Sequence, residues 1–285
     1  MALESSLRVA LVYSINDVAG SSVAKLIQDL LGSEKVTCPG DPVECYVVAN
    51  NVRLAGYKGE SIYFDFLDES PDPRADVIIV LSRHSAKSGK PSLTVHHTGN
   101  PTKDNSYGGE PYTLSISAPP LSKTLLKIYR QKAEEHNLLG KYELTLEVTH
   151  HGPTKPRKPL VFIEIGSSIN EWRDTKAQYT MAETIIHVLE KGIDLNCEAA
   201  AGFGGSHYPE KFTRLHLESD MCFGHIIPKY AFNQGVNVEV VLQAIRNTWP
   251  AQASVAVIEK KSIKSTHRSM VENTVKKLGI KVRMV

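Results

Sequence analysis

Apolar runs suited to buried strands recur along this 285-residue chain, and most alternate with segments of helical spacing. The first instance is LRVALVYSINDVAGSSVAKLIQDLLG. Val9, Leu11 and Tyr13 alternate with Arg8, Ala10 and Val12, nearly all apolar, which suits a strand covered on both faces. Val23, Leu26, Ile27, Leu30 and Leu31 then repeat at helical spacing, and Gly32 supplies a stop. Short strand-like pieces, ECYVVAN and SIYFDFL, follow within residues 43–66. RADVIIVLSRHS and SLTVHHTGN read as buried strands, and residues 98–118 as a long Gly/Pro/Asn/Ser-rich loop of the kind that is often functional. PLSKTLLKIYRQKAEEHNLLG predicts a helix from near Pro120 to Gly140, and KYELTLEVTHHGP a returning strand. The pattern continues to a terminal strand, IKVRMV. Such alternation predicts an α/β fold with a mixed, mainly parallel sheet and helices on both faces. Residues 1–285 read as a single domain, with GPTKPRKP (152–159) the one segment able to separate two lobes.

Composition narrows the class. Hydrophobic residues make up 41% and charged residues 22%, enough apolar side chain for a sizeable core. No apolar stretch reaches the length of a membrane span. The opening MALESSLRVALVYS lacks a basic leader and reads as a first strand, not a signal peptide, which points to the cytoplasm. The four cysteines form no CxxC pair, so a cysteine-based zinc knuckle is not expected, and four thiols fit a reducing compartment. Charge is uneven. Residues 259–285 carry eight Lys and Arg against two Glu, a net +6, leaving −4 on the remaining 258 residues. That asymmetry points to an anionic partner, although a solvated helix face would look the same.

Ligands of open α/β sheets collect at the carboxyl ends of strands. Those ends here are His84, His96-His97, His150-His151, Gly166-Ser167-Ser168 and Gly204-Gly205-Ser206-His207. Four of the five contain histidine. Because successive strand residues face opposite ways, at most one member of each doublet need face a shared crevice, but strand twist and the glycines that follow blur this for LTLEVTHH and keep both His150 and His151 as candidates. Glu164 sits inside the apolar run VFIEIGS, where a carboxylate must be paired, bonded or on a metal. Imidazoles with a buried carboxylate are the donor set of zinc, which in hydrolytic sites keeps one position for water. GFGGSHYP can offer backbone N–H groups to an anion, but it is neither a dinucleotide fingerprint nor a P-loop. Lys87, Lys90, Lys155, Arg157 and Lys158 lie just past the histidine-bearing strand ends, where they could form a phosphate-attracting rim or simply a solvated loop. No GxSxG elbow accompanies Ser167, Ser168 or Ser206, which argues against a serine hydrolase.

Taken together, SRHSAKSGKPSLTVHHTGN, EVTHHGP, FIEIGSS and GFGGSHYPEKFT resemble the second, archaeal- and plant-type class of D-aminoacyl-tRNA deacylase, over nearly the full length and in family order. The resemblance implies a phosphorylase/peptidyl-tRNA-hydrolase-like fold. It implies hydrolysis of the ester joining a D-amino acid to the terminal adenosine of tRNA, and a zinc ion. The positions carried over are His84, His96, His97, Asn100, His150, His151, Glu164 and His207. From these and the strand-end reading, His84, His96, His150 and Glu164 are the expected metal ligands, and His97, His151, His207 and Glu164 the expected catalytic groups. Asn100, Gly204, Gly205, Ser206, Lys87, Lys90, Lys155 and Arg157 are the expected substrate contacts. The partners would be an aminoacylated tRNA end and its D-amino acid, with no membrane, and the protein a monomer or homodimer. Two rivals remain: a hydrolase of the same fold cutting peptidyl-tRNA or a peptide amide, and a non-enzymatic RNA-binding protein.

Overall fold

The computed structural model describes residues 7–49, 52–86 and 89–285. Their elements begin with β1 (Val9–Ser14), α1 (Val18–Leu31), β2 (Glu34–Lys35), β3 (Glu44–Ala49), β4 (Val52–Tyr57), β5 (Val77–Ser85) and β6 (Ser92–His96). Next come β7 (Gly99–Asn100), β8 (Thr113–Leu114), α2 (Pro119–Glu135), β9 (Glu143–Leu146), β10 (Leu160–Ser167), α3 (Ile169–Trp172) and α4 (Thr175–Lys191). The chain ends with β11 (Glu198–Phe203), α5 (Glu210–Glu218), β12 (Met221–Ile227), α6 (Lys229–Gln234), α7 (Val238–Arg246), β13 (Val255–Ile258), α8 (Ser265–Lys276) and β14 (Lys281–Met284). The fold is α/β with a mixed, mainly parallel sheet.

The chain forms two compact units. One comprises Met1–Val95, Thr124–Leu144 and Phe162–Ile193, the other His96–Lys123, Thr145–Val161 and Asp194–Val285. The chain passes between the units at the end of β6, within α2, β9 and β10, and between Ile193 and Asp194, and residues 152–159 lie inside the second unit.

The first unit is organised on an eight-stranded sheet of order β2-β3-β4-β1-β5-β10-β6-β9. β1 is parallel to β4 and β5, whereas β3 is antiparallel to β2 and β4. Every residue of β1 is buried, as its two-faced apolar pattern predicts. Asp17 caps α1 by accepting from the N–H groups of Ala19 and Gly20, and a further N–H, that of Arg83, donates to it at 2.7 Å. A side chain at Gly20 would collide with the Leu81 carbonyl, so the glycine lets α1 lie close on β5.

One local expectation fails here for an identifiable reason. SIYFDFL is a short 3₁₀ turn and loop, not a strand, and its Phe64 and Phe66 pack with Tyr57 at ring separations of 5.0–5.5 Å. The strand beside β1 is instead VRLAGY, whose apolar run is broken by Arg53 and by Gly56. That glycine is required, because a Cβ there would stand 2.8 Å from the Tyr13 ring.

The second unit holds a wholly parallel sheet of order β12-β11-β13-β14 and a small β7–β8 pair within the expected long loop. Its core gathers Phe203, Ile227, Val240, Val241, Ile245 and Ile258, with α7 and α8 contributing their apolar faces. From β11 the chain moves through α5 to β12 on one side. From β13 it moves through α8 to β14 on the other. The carboxyl ends of β11 and β13 therefore flank a topological switch point, where open α/β sheets leave a crevice.

The cysteines correct the reading of four free thiols. Cys38 pairs with Cys45 in the first unit, Cα atoms 6.1 Å apart, and Cys197 with Cys222 in the second, 5.7 Å apart. Spacing without CxxC hid both bridges, since each joins strands or loops that meet only after folding. Among the described residues, no helix is long and apolar enough to cross a membrane.

Candidate active site

Two histidine doublets meet in the second unit. The Gly99 N–H is shared between the carbonyls of His150 and His151, at 3.2 and 2.8 Å, and Thr98 forms a parallel bridge with His150. This stitches the segment after β6 to the segment after β9. The ring of His96 then lies 4.5 Å from that of His150 and 4.9 Å from that of His151, and the latter two are 4.3 Å apart. The three can present one nitrogen each within 4.8 Å of one another, so they could hold a metal ion.

Alternation explains one doublet and fails for the other. His96 ends β6 facing the cluster, and His97 turns the opposite way, as a strand requires. Strand β9 stops at Leu146, short of the second doublet, and His151 adopts φ +41°. Freed from the pleat, both His150 and His151 join the cluster. The sequence keeps both His150 and His151 as candidates, and the structure brings both rings to the cluster.

Hydrogen bonds fix the tautomers. Nδ1–H of His150 donates to Val148 O at 2.8 Å, that of His151 to Gly152 O at 2.6 Å, and that of His96 to His97 O at 3.4 Å. In this tautomer the lone pair is on Nε2, the form in which an imidazole can bind a metal. Burial, then the neighbouring His151 and His96, holds His150 well below the usual imidazole range, so it stays neutral. The donor set fits zinc, which takes three neutral imidazoles and keeps one open position.

The sequence reading overlooked Glu147, the acid of LTLEVTHH. Its carboxylate is fully buried and accepts from His207 Nε2–H at 2.8 Å, while His150 Nε2 lies 3.4 Å away. An acid in a strand-like run three residues before a histidine is the available signal. His207 is partly exposed, and its backbone carbonyl accepts from Val148 N–H at 3.1 Å. With Nε2–H held by Glu147, Nδ1 carries the lone pair of His207.

His207 also lines a cavity of about 610 Å³ at the switch-point edge of the parallel sheet. Gly205 and Ser206 follow β11, Lys229 and Tyr230 follow β12, and Lys261 and Ser262 follow β13. Partial burial, then the charge of Glu147, pushes the Tyr230 phenol up to about 12, so it stays a neutral hydroxyl. Positive φ at Gly204 (+119°) and Gly205 (+83°) shapes the turn. Their N–H groups are already engaged, by Ile227 O and Ser262 Oγ, and are not free for an oxyanion.

The other expected residues have partners of their own. His97 Nδ1–H donates to Gly224 O, and its Nε2 accepts from Ala118 N–H at 3.0 Å, so both ring nitrogens are engaged. Asn100 is buried and donates to the carbonyls of Gly108 and Glu110, tying down the 101–112 loop. Lys155 is exposed and pairs with Glu110 at 3.1 Å, and Arg157 is exposed. In the first unit, Glu164 and His84 are both buried and face each other at 3.4 Å. Gly166 makes room for that His84 ring, since a Cβ would approach it to 2.8 Å. Trp172 Nε1–H donates to the His84 carbonyl, and Lys90 O accepts from Ser167 Oγ. Lys87 lies outside the described residues.

Behind the cluster, His225 donates from Nε2 to Ser115 O at 2.9 Å and faces the Thr149 hydroxyl through Nδ1 at 3.1 Å. Burial pulls its pKa down from 6.5 to about 4. The fold thus stabilises the neutral ring. That contribution is complete above pH 6.5 and is withdrawn as pH falls toward 4, at about 1.4 kcal/mol per pH unit, on the order of 3 kcal/mol in all. Burial shifts His97 in the same direction. Urea unfolding at pH 7 and pH 4.5 should show a large loss of stability in the native protein and a smaller one in His225→Gln.

Comparison with known proteins gives concordant results. The family model described as D-aminoacyl-tRNA deacylase matches residues 71–283. A D-aminoacyl-tRNA deacylase of Aeropyrum pernix is 47% identical over 282 residues, covering 98% of this chain and 100% of its own. One of Hyperthermus butylicus is 43% identical, covering 93% of this chain and 97% of its own, and one of Pyrococcus abyssi is 33% identical, covering 96% and 98%. The crystal structure of a conserved protein of unknown function superposes with a TM-score of 0.88 at 29% identity, covering 97% of this chain and 94% of that one.

Proposed function

The chain belongs to the D-aminoacyl-tRNA deacylase family, and from that premise we propose that it hydrolyses the ester between a D-amino acid and the terminal ribose of tRNA at the His207–Glu147 dyad. The observation that carries this reading is a partly exposed imidazole, lining a cavity, whose far nitrogen is held by a fully buried carboxylate. This is the arrangement of a general base and its orienting acid.

In this mechanism His207 Nδ1 takes a proton from a water molecule as its oxygen attacks the ester carbonyl carbon. Glu147 keeps the ring in the required tautomer and stabilises the imidazolium. The carbon–oxygen bond to the ribose then breaks, and His207 returns the proton to the leaving ribose oxygen. The products are a free D-amino acid and a tRNA with a free terminal hydroxyl. His96, His150 and His151 would hold the zinc ion. When bound there, zinc supplies a Lewis acid for the carbonyl and lowers the pKa of water. A preference for one hand would come from a pocket wall that clashes with the side chain of the other enantiomer. A tRNA substrate puts this work in the cytoplasm.

His97 and Asn100 take supporting roles in this reading, holding Gly224, Ala118 and the 101–112 loop. Matched D- and L-aminoacyl-tRNA, with peptidyl-tRNA alongside, test the assignment. Cleavage of the D ester alone is expected. Equal cleavage of both hands, cleavage of peptidyl-tRNA only, or no cleavage would overturn it.

A further inference from the structure

Deepening the deacylase reading and resting on it, we propose that the cavity at the carboxyl ends of β11, β12 and β13 is a nucleotide subsite, in which Lys229 and Lys261 hold the 5′-phosphate of the terminal nucleoside while its ribose reaches His207. The cavity, about 610 Å³, lies within the usual range for a small-molecule site, roughly 300–1,000 Å³. It occupies the switch point of a parallel sheet, where nucleotides bind in this architecture.

Its charges are asymmetric in use. Lys211 is paired with Glu259 at 3.1 Å, whereas Lys229 and Lys261 have no ion pair among the described residues. Glu210 also lines the cavity, which leaves it one positive charge in excess. Two lysines that line one cavity from beyond different strands, with one uncompensated charge, suit a phosphodiester, which carries one negative charge.

Lys229 opens α6 and Lys261 stands on the loop after β13, and both positions are braced. Lys229 N–H donates to Gly205 O at 3.0 Å, and Gly205 N–H donates to Ser262 Oγ at 2.7 Å, so all three post-strand loops are tied together. Arg268 grips the loop carrying Lys261 from below, donating to Lys260 O at 2.9 Å and Ile263 O at 2.7 Å. A Cβ at Gly204 would stand 3.0 Å from both Glu259 and Ser262, so the glycine permits this close approach. Pre-braced loops give up little entropy when a ligand arrives. His207 belongs both to this cavity and to the dyad, which makes the two sites continuous.

Calorimetric titration of the full chain with adenosine 5′-monophosphate, adenosine and inorganic phosphate tests the assignment without any turnover. The monophosphate should bind at least tenfold more tightly than adenosine or phosphate alone. In Lys229→Ala/Lys261→Ala that advantage over adenosine should shrink to within twofold, and in the charge-reversed Lys229→Glu/Lys261→Glu it should vanish. Equal binding of monophosphate and adenosine by the native chain, phosphate binding as tightly as the monophosphate, or an advantage that survives both double variants would overturn the proposal. Because the readout is binding, a chain that failed to cleave D-aminoacyl-tRNA would sink the deacylase reading and leave this result to be judged separately.

Discussion

His207→Gln should lower the single-turnover rate of D-aminoacyl-tRNA hydrolysis by about 10²–10⁴-fold, the range for losing a positioned general base. Glutamine can still donate a hydrogen bond to Glu147, which in the native protein accepts from His207 at 2.8 Å. The substitution therefore removes the proton acceptor while keeping the buried carboxylate partnered. Losing that partner would carry its own cost, on the order of 3–5 kcal/mol for an uncompensated buried charge. Thermal stability should thus change little in His207→Gln, and circular dichroism melts check this. A rate within threefold of native would show that His207 is not the base.

Metal content should respond to a different set of residues. Native protein prepared with zinc should carry one ion per chain, and chelation should abolish cleavage until zinc is restored. Replacing His96, His150 or His151 singly by Ala should leave well under one ion per chain and weaken zinc binding by at least 10²-fold. Losing a ligand should exceed the 10–100-fold that loss of a residue merely supporting one typically costs. Their geometry is the reason. All three rings can point one nitrogen at a common point while Nδ1–H is tied to a carbonyl, so each deletion removes a ligand already held in its binding tautomer. His97→Ala should keep its zinc, because that ring faces Gly224 and Ala118 instead. Elemental analysis of the four variants separates the two sides of the doublet.

Much of this arrangement was legible in the chain. Strand–helix alternation announced the α/β class, and apolar runs ending in His placed imidazoles at strand ends. The limits were physical. Alternation along a strand predicts facing only while the strand lasts, which is why it separates His96 from His97 and cannot separate His150 from His151, beyond the end of β9. Glu147 escaped notice because its run, LTLEV, is interrupted by threonine, whereas Glu164 stands in an unbroken apolar stretch. The cavity lysines 211 and 229 follow no basic cluster. They converge with Lys261 only because three parallel strands end together, and no spacing along the chain encodes that. The Cys197–Cys222 bridge and the division of the chain into two discontinuous units are likewise outcomes of topology.

The most direct test of the account is a double-mutant cycle on the dyad, read as single-turnover hydrolysis of D-aminoacyl-tRNA with zinc supplied throughout. Glu147→Gln, His207→Gln and the double variant are compared with the native chain. Groups that act as one unit lose their effect together, so the double variant should be no slower than the worse of the two singles. Losses that multiply, or a Glu147→Gln variant as fast as native, would contradict the claim that the buried carboxylate and the cavity imidazole work as a single base.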